Sequence, residues 1–319
     1  MIVVLAGGVG AARFLSGLIE VVPQEEVVVV SNTGDDALFH GLHVSPDVDI
    51  VLYTLASLVD EERGWGLRGD TFHCLEALGR LGRQTWFNLG DRDLATHLHR
   101  TALLQRGQSL SEATRSLAQA LGVRVRVLPM SDERVETRLQ TARGELAFQE
   151  YLVHGGAQDA ISGIRFEGAE SARPAPGVLE AVRSAEGIII APSNPLISIG
   201  PILAVPGIRD ALEHARARTV AISPLVAGQA LKGPLAKMLG ELGMEVSALQ
   251  VARLYRDLAA TIILDEADRD LAPAVQALGM RAAVTDTVMR GLAEKVALAR
   301  AALDALRPFD KLRTSVGSR

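Results

Sequence analysis

A strand that ends in a cluster of glycines is the feature that most constrains this fold. Residues 2–6 are apolar and run directly into Gly7, Gly8, Val9 and Gly10, after which apolar residues recur at helical spacing. The pattern predicts a buried strand, a tight turn and a helix. Such a turn can approach a ligand closely, and the free N–H groups of the helix favour a phosphate. Since the spacing is neither G-x-G-x-x-G nor a P-loop, a plain strand-to-helix turn stays an alternative.

Two acidic turns follow the glycine turn. Asp35 and Asp36 come after the apolar, β-branched run 27–30, and Asp47 and Asp49 lie in the next polar segment. Because ligands of doubly wound sheets lie outside the carboxyl ends of the strands, we expect the glycine and acidic turns to face one crevice. If Asp47 and Asp49 are extended, their side chains point to the same face. Four carboxylates beside a phosphate require a divalent cation, and oxygen ligands of this kind suit Mg²⁺.

Composition limits the possible partners and the compartment. The net charge of −5 argues against bulk nucleic-acid binding, and no apolar stretch is long enough to span a membrane. No signal peptide is evident, and a single cysteine, Cys74, excludes an intrachain disulfide. We expect Cys74 to be a small buried residue. These features predict a cytoplasmic protein without nucleic-acid or membrane partners.

Alternating β-branched runs and helical patterns indicate parallel strands with crossover helices. We therefore predict an α/β fold: a Rossmann-like, doubly wound, mainly parallel sheet with a smaller α/β insertion. The core is predicted at 1–128 and 177–306, including a helical segment at 90–122, with the insertion at 129–176 and a flexible tail at 307–319. Later strands are predicted at 124–128, 145–153, 187–191, 219–223, 261–264 and 284–287.

Several single residues outside these turns are candidates for binding. Trp65, flanked by glycines, offers a flat surface for an aromatic ring or anchors a loop to the core. Arg92 lies in the first turn of a predicted helix, where the dipole disfavours a cation, so an anionic partner is expected. His97 and His99 are two residues apart on that helix, which is wrong for joint metal ligation, and ordinary, partly buried histidines are favoured. Lys232, in a glycine-flanked loop, reaches a phosphate or is merely solvated.

A polar turn follows the strand predicted at 187–191. Ser193 and Asn194 offer hydroxyl and amide groups there, and prolines on both sides fix the backbone. These groups could hydrogen-bond a ligand at the carboxyl end of that strand.

Six motifs in this order resemble the 2-phospho-L-lactate transferases of coenzyme F420 biosynthesis. The motifs are GGVGAAR at 7–13, NTGDD at 32–36, SPDVD at 45–49 with YTL at 53–55, LGDRDLATH at 89–97, LPMSD at 128–132 and APSNP at 191–195. The match runs in order from residue 1 to about residue 286. Several long motifs in one order are far more specific than any single one.

The resemblance implies a Rossmann-like core with a smaller appended domain, a homodimer and a requirement for Mg²⁺. It implies as donor a guanosine diphosphate conjugate of a small phosphorylated acid, 2-phospho-L-lactate or a close analogue, in which the acid's own phosphate is the distal phosphate. The acceptor would be the deazaflavin FO, whose terminal ribityl hydroxyl attacks the distal phosphorus while GMP leaves. Which acid the donor carries stays open among phospholactate, phosphoenolpyruvate and phosphoglycerate.

This chemistry assigns candidate roles to the residues above. Binding of the nucleotide and its phosphates is expected from Gly7, Gly8, Val9, Gly10, Arg13, Ser193, Asn194 and Lys232, with Arg68 as a further anion contact. The candidate metal ligands are Asp35, Asp36, Asp47 and Asp49, of which Asp36 and Asp49 are also the candidate catalytic residues. Contact with the deazaflavin is expected from Asp49 and Arg92 by the resemblance, and from Trp65.

Two alternatives from other classes stay open. A non-catalytic, nucleotide-sugar-binding regulatory paralogue of the same fold would share the glycine and acidic turns but lack the block at 89–97, which is present here. A nicotinamide-dependent oxidoreductase would carry G-x-G-x-x-G and a lone acidic residue at the end of the second strand. This chain has neither feature.

Overall fold

The computed structural model describes residues 1–306, so the predicted tail 307–319 lies outside the described residues. The strands are β1 (Ile2–Ala6), β2 (Val27–Ser31), β3 (Ala37–Phe39), β4 (Leu42–Val44), β5 (Arg126–Pro129), β6 (Glu136–Thr141), β7 (Gly144–Ala147), β8 (Ile161–Glu167), β9 (Gly187–Ile190), β10 (Thr219–Ile222), β11 (Leu225–Val226), β12 (Gln229–Ala230), β13 (Thr261–Leu264) and β14 (Arg281–Val284). The α-helices are α1 (Gly8–Leu18), α2 (Pro46–Leu55), α3 (His73–Arg80), α4 (Asp93–Gln105), α5 (Leu110–Ala120), α6 (Val178–Ser184), α7 (Gly200–Ala204), α8 (Ile208–His214), α9 (Leu235–Glu241), α10 (Ala248–Tyr255), α11 (Ala272–Ala277) and α12 (Leu292–Ala305).

A seven-stranded sheet in the order β14-β13-β10-β9-β1-β2-β5 forms the centre of the protein. All neighbouring strands in it are parallel. Counted along the chain, this is the Rossmann order 3-2-1-4-5-6 with one further strand at the edge. The doubly wound α/β fold is therefore confirmed. The strand order reverses between β1 and β9, and such switch points are where ligands bind in these sheets.

Both faces of the central sheet are covered, which explains why its strands read as continuous apolar runs. Val3 and Leu5 of β1 point to a core layer that includes α6, α8 and α10. Val4 and Ala6 point to the opposite layer, which includes α1, α2 and α12. This alternation fixes the pairing register, because a slip by one residue would exchange the two faces.

A second, antiparallel sheet in the order β7-β6-β8 falls inside the predicted insertion 129–176, whose boundaries stay a prediction. The predicted strand at 145–153 is wrong beyond Ala147, because residues 150–154 form a π-helix. Phe148 and Tyr151, three positions apart, are both buried in one cluster with Met238 of α9. A strand with a period of two cannot point both side chains to one face, whereas a helical turn can.

Two further local expectations are corrected. Asp47 and Asp49 are not extended but lie in the first turn of α2, which has Pro46 at its first position. Proline is favoured there because the first helical N–H needs no partner. The two carboxylates are thus about 200° apart around the helix and meet different neighbours. Cys74 is exposed rather than buried. No helix within residues 1–306 is both long and apolar enough to cross a membrane.

Candidate active site

A cavity of about 650 Å³ opens at the carboxyl ends of β1 and β9, where the strand order reverses. Most of the predicted site residues line it: Gly7, Gly8, Val9, Gly10, Arg13, Asp35, Asp47, Asp49, Trp65, Ser193, Asn194 and Lys232. Asp36, Arg68 and Arg92 are not among the lining residues. The Arg92 guanidinium instead donates a hydrogen bond to the carbonyl oxygen of Arg68 at 3.0 Å.

Close packing explains the glycines of the first turn. A Cβ on Gly10 would lie 2.2 Å from the carbonyl oxygen of Pro192, and one on Gly7 would lie 2.7 Å from Cβ of Ser198. Gly8 adopts a φ of +70°, which favours glycine, and its side-chain direction is open. The glycines thus allow the turns after β1 and β9 to touch, in addition to exposing the N-terminus of α1 to the cavity.

Ser193 joins the two turns directly. Its hydroxyl donates to the carbonyl oxygen of Gly7 at 2.8 Å and accepts from the Gly7 N–H at 3.3 Å. Asn194 holds its own turn, since its Oδ1 accepts from the N–H of Leu196 at 2.9 Å. A guanosine-binding role for either residue stays a prediction.

Two of the four predicted acids have basic side chains as neighbours, although Oδ1 of Asp36 is buried without a hydrogen-bond partner. Both oxygens of Asp49 accept hydrogen bonds from the buried guanidinium of Arg100, that to Oδ2 at 3.1 Å. Asp36 Oδ2 accepts from the Ser45 hydroxyl at 2.6 Å and lies 2.9 Å from His43 Nε2. Burial nevertheless raises the pKa of Asp36 above its ordinary value.

Asp35 and Asp47, in contrast, face each other without a cation. No ion pair among residues 1–306 involves either carboxylate. Burial, together with the charge of Asp47, raises the pKa of Asp35 well above its ordinary value. Burial raises the pKa of Asp47 to about 6, although the Asn32 amide, 2.9 Å from its Oδ2, and the Gly8 N–H favour the charged form. This pair therefore carries uncompensated negative charge beside the glycine turn.

The donor set of this pair fits a magnesium ion. Asp35 Oδ1 is buried without a hydrogen-bond partner, as is Asp36 Oδ1, but only Asp36 has a basic side chain beside it. Within residues 1–306 no group of three or more His, Cys, Asp or Glu side chains could hold a metal ion. Magnesium is usually bound through one or two carboxylates, with water and substrate phosphates as the other ligands. Asp35 and Asp47 could supply those carboxylates, and magnesium binding stays a prediction.

The sequence reasoning missed a set of buried polar residues at the cavity. Tyr53 and Asp93 line it together with His97, and Arg100 lies behind Asp49. His97 is only 1% exposed and lies between two carboxylates, so it is not an ordinary histidine. The spacing of Asp93, His97 and Arg100 places them on one helix face and is the signal that could have revealed them.

Exposed apolar side chains surround the mouth of the cavity. Trp65, Val153 and Leu231 line it and are 39%, 39% and 56% exposed. They come from three separate segments of the chain. The Lys232 ammonium lies next to Gly64, since a Cβ on that glycine would be 2.5 Å from Nζ. The loops that carry Trp65 and Lys232 therefore meet over the turn after β1.

Fold and site together define a doubly wound α/β protein with a glycine-rich turn and an acidic pair at its switch point. The family model described as 2-phospho-L-lactate transferase CofD matches residues 2–294. The chain therefore belongs to the 2-phospho-L-lactate transferase family, and it is a transferase of coenzyme F420 biosynthesis.

Relatives with different names cover nearly the whole chain. A phosphoenolpyruvate transferase of Streptomyces griseus is 45% identical over 95% of this chain and 97% of its own length. A 2-phospho-L-lactate transferase of Methanosarcina mazei is 37% identical over 95% and 99%. Among solved structures, a upf0052 family protein of Bacillus halodurans is 18% identical, with a TM-score of 0.61 over 95% of this chain and 98% of that one, and shows the same fold.

Proposed function

We propose that this enzyme transfers a phosphorylated small-acid group from its GDP conjugate to the ribityl hydroxyl of FO, with release of GMP. One observation carries the proposal. The glycine turn and the uncompensated pair Asp35 and Asp47 share a single cavity at the switch point of the sheet. The N–H groups of the glycine turn need an anion and the two carboxylates need a cation. A diphosphate with bound Mg²⁺ supplies both.

Formation of a phosphodiester needs charge neutralisation and in-line positioning more than covalent help. When bound at Asp35 and Asp47, Mg²⁺ would neutralise the diphosphate and acidify the attacking hydroxyl. The N-terminus of α1 directs its free N–H groups and positive dipole end towards the same phosphates. Arg13 and Lys232 line the cavity and add positive charge, while Nη2 of Arg13 donates to the carbonyl oxygen of Met289.

The acceptor's planar ring fits the apolar mouth of the cavity. Trp65, Val153 and Leu231 leave apolar surface exposed there, and a bound tricyclic ring would remove it from water. With the ring at the mouth, the ribityl chain reaches inward towards Asp49 and the candidate magnesium ligands Asp35 and Asp47. Trp65→Ala should then weaken FO binding and leave GDP binding unchanged, which FO fluorescence and calorimetry would measure. Leu81→Ala, at an exposed leucine outside the cavity lining, is the matched control.

We propose phosphoenolpyruvate as the acid that the donor carries. The basis is similarity alone: three relatives named phosphoenolpyruvate transferase are 43–45% identical, and three named 2-phospho-L-lactate transferase are 37–39% identical. A homodimer is proposed on the family resemblance, and light scattering of the purified protein tests it.

The decisive experiment supplies the protein with FO, Mg²⁺ and each of three donors in which GMP is joined through a diphosphate bond to phosphoenolpyruvate, phospholactate or phosphoglycerate. Mass detection should show GMP and the FO phosphodiester, with the phosphoenolpyruvate conjugate turned over fastest. Asp35→Asn should abolish transfer, whereas Asp257→Asn, at an exposed site, should not. If no conjugate yields GMP and diester, the proposed function is wrong; preference for another conjugate rejects only the choice of acid.

A further inference from the structure

A buried polar contact joins α2 to α4 at the floor of the cavity. It consists of Asp49 and Tyr53 from α2 and of Asp93, His97 and Arg100 from α4, and we call it the α2–α4 polar seam. Their spacings, four residues on α2 and four and three on α4, place each set on one helix face. All five residues are at least nine-tenths buried, and all of them except Arg100 also line the cavity.

Two pairs of side chains form the ends of the seam. At one end, the Arg100 guanidinium donates to both oxygens of Asp49 and, at 3.3 Å, to the carbonyl oxygen of His43. At the other end, the Tyr53 hydroxyl donates to Asp93 Oδ1 at 2.5 Å. Burial raises the pKa of Asp93, but contacts with His97 and Tyr53 outweigh it and hold that pKa below its ordinary value.

The ring of His97 connects these two pairs. Its Nδ1 lies 3.4 Å from Arg100 Nη1 and 3.7 Å from Asp49 Oδ2, and its Nε2 lies 3.2 Å from Asp93 Oδ2. Because a guanidinium can only donate, the contact between Arg100 Nη1 and Nδ1 fits the tautomer of His97 that carries its proton on Nε2. Nε2 then faces Asp93 within ion-pair distance, although the geometry there is not that of a hydrogen bond.

Stability alone does not account for such a seam. Replacement of buried ion pairs by well-packed apolar residues is often neutral or stabilising, so a polar seam is better explained by the geometry it fixes. Here the fixed element is the first turn of α2. That turn presents Asp49 to the cavity and, two residues earlier, directs Asp47 towards Asn32 and the glycine turn.

We infer that His97 is a positioning residue for the transfer reaction. It links the Asp93–Tyr53 pair to the Asp49–Arg100 pair and so fixes the Asp49 carboxylate, which faces the attacking hydroxyl of the acceptor. The inference rests on the proposed function for its kinetic test. His97 does not contact the reacting atoms. Positioning of Asp49 depends on the Nδ1 side of the ring, which faces Arg100 and Asp49.

Two substitutions distinguish the role of Nδ1 from that of Nε2. His97→Asn keeps a polar atom near the position of Nδ1, whereas His97→Gln keeps one near the position of Nε2. We expect kcat with FO to stay within about threefold of wild type in H97N and to fall by about tenfold or more in H97Q, since misplacement of a reacting group has effects of that size. The Kd for GDP should change in neither. His99→Gln, on the exposed side of α4, is the matched control and should behave as wild type.

Equal kcat in H97N and H97Q would overturn the inference, as would a parallel loss of GDP affinity and thermal stability in H97Q alone. A separate measurement does not depend on turnover. The ¹⁵N spectrum of wild-type protein labelled at histidine should show His97 as the Nε2-protonated tautomer, and the Nδ1-protonated tautomer would refute the described connection. If wild type fails to transfer any conjugate, the proposed function fails, and the tautomer still decides whether His97 connects the two pairs.

Discussion

Removing the charge of Asp47 should make the metal-free protein more stable while it inactivates the enzyme. The pKa of Asp47 rises from an ordinary 3.8 to about 6 in the fold, so keeping this carboxylate ionised costs about 3 kcal/mol of folding free energy at pH 8. Asp47→Asn keeps the shape of the side chain and removes that cost. Relief of the repulsion on Asp35 should add to the gain.

The pH dependence gives the sign of the effect. Because the folded pKa is the higher one, protonation of Asp47 favours the native state fully below pH 3.8. That stabilisation is lost as the pH rises through 6. The free energy of unfolding of D47N should therefore exceed that of wild type by roughly 3 kcal/mol at pH 8 and match it near pH 4.

Urea denaturation in EDTA at the two pH values measures this difference, with Asp257→Asn as a control that removes an exposed charge. Adding Mg²⁺ at pH 8 should stabilise wild type and leave D47N unchanged, because binding to the native state shifts the unfolding equilibrium. A difference between D47N and wild type that does not change with pH, or a D47N protein that is less stable at pH 8, would refute the reasoning.

Three other substitutions test the construction of the cavity. Gly10→Ala should lower stability by about 1–3 kcal/mol in urea denaturation, because its Cβ would meet the carbonyl oxygen of Pro192; an unchanged midpoint would contradict the close packing. Ser193→Ala removes both hydrogen bonds to Gly7 and should cost about 1–2 kcal/mol in the same assay, so no loss would mean that the link is unimportant. Lys232→Ala should weaken GDP binding about tenfold by calorimetry if its ammonium contacts a phosphate, and equal affinity would reject that contact.

Most of the central sheet was predictable because its signals are local, but the last strand, predicted at 284–287, lies at Arg281–Val284. The strand at 261–264 has the predicted bounds, and those at 27–31 and 187–190 differ from prediction by one residue. The capping box at Ser109 also forms as its sequence indicates. Fully buried parallel strands read as unbroken β-branched runs, and these are among the clearest patterns in a sequence. The turns after β1 and β9 could also be expected to meet, because the two strands are neighbours in the strand order of this fold class.

The state of each aspartate was not predictable from its own motif. Asp49 is satisfied by Arg100, which is 51 residues away, and Asp36 by a histidine on the neighbouring hairpin. Only the packing of α2 against α4 brings the first pair together. The helical placement of Asp47 and Asp49, however, has a local signal in Pro46, because proline favours the first position of a helix.

Charge compensation divides the four aspartates into two pairs with different chemistry. Asp49 and Asp36 have basic side chains beside them, although burial still raises the pKa of Asp36. Asp35 and Asp47 lie in the same buried region without a basic partner, and the fold bears the cost of their repulsion. A protein selected for stability alone would replace one of them, and retained instability of this kind is expected where a site must bind a ligand. Protonation of Asp47 as the pH falls through about 6 relieves the repulsion, and under the proposed function a divalent cation and the diphosphate it accompanies would relieve it at higher pH. Under that proposal, the same residues would make the empty protein less stable and would bind metal and donor together.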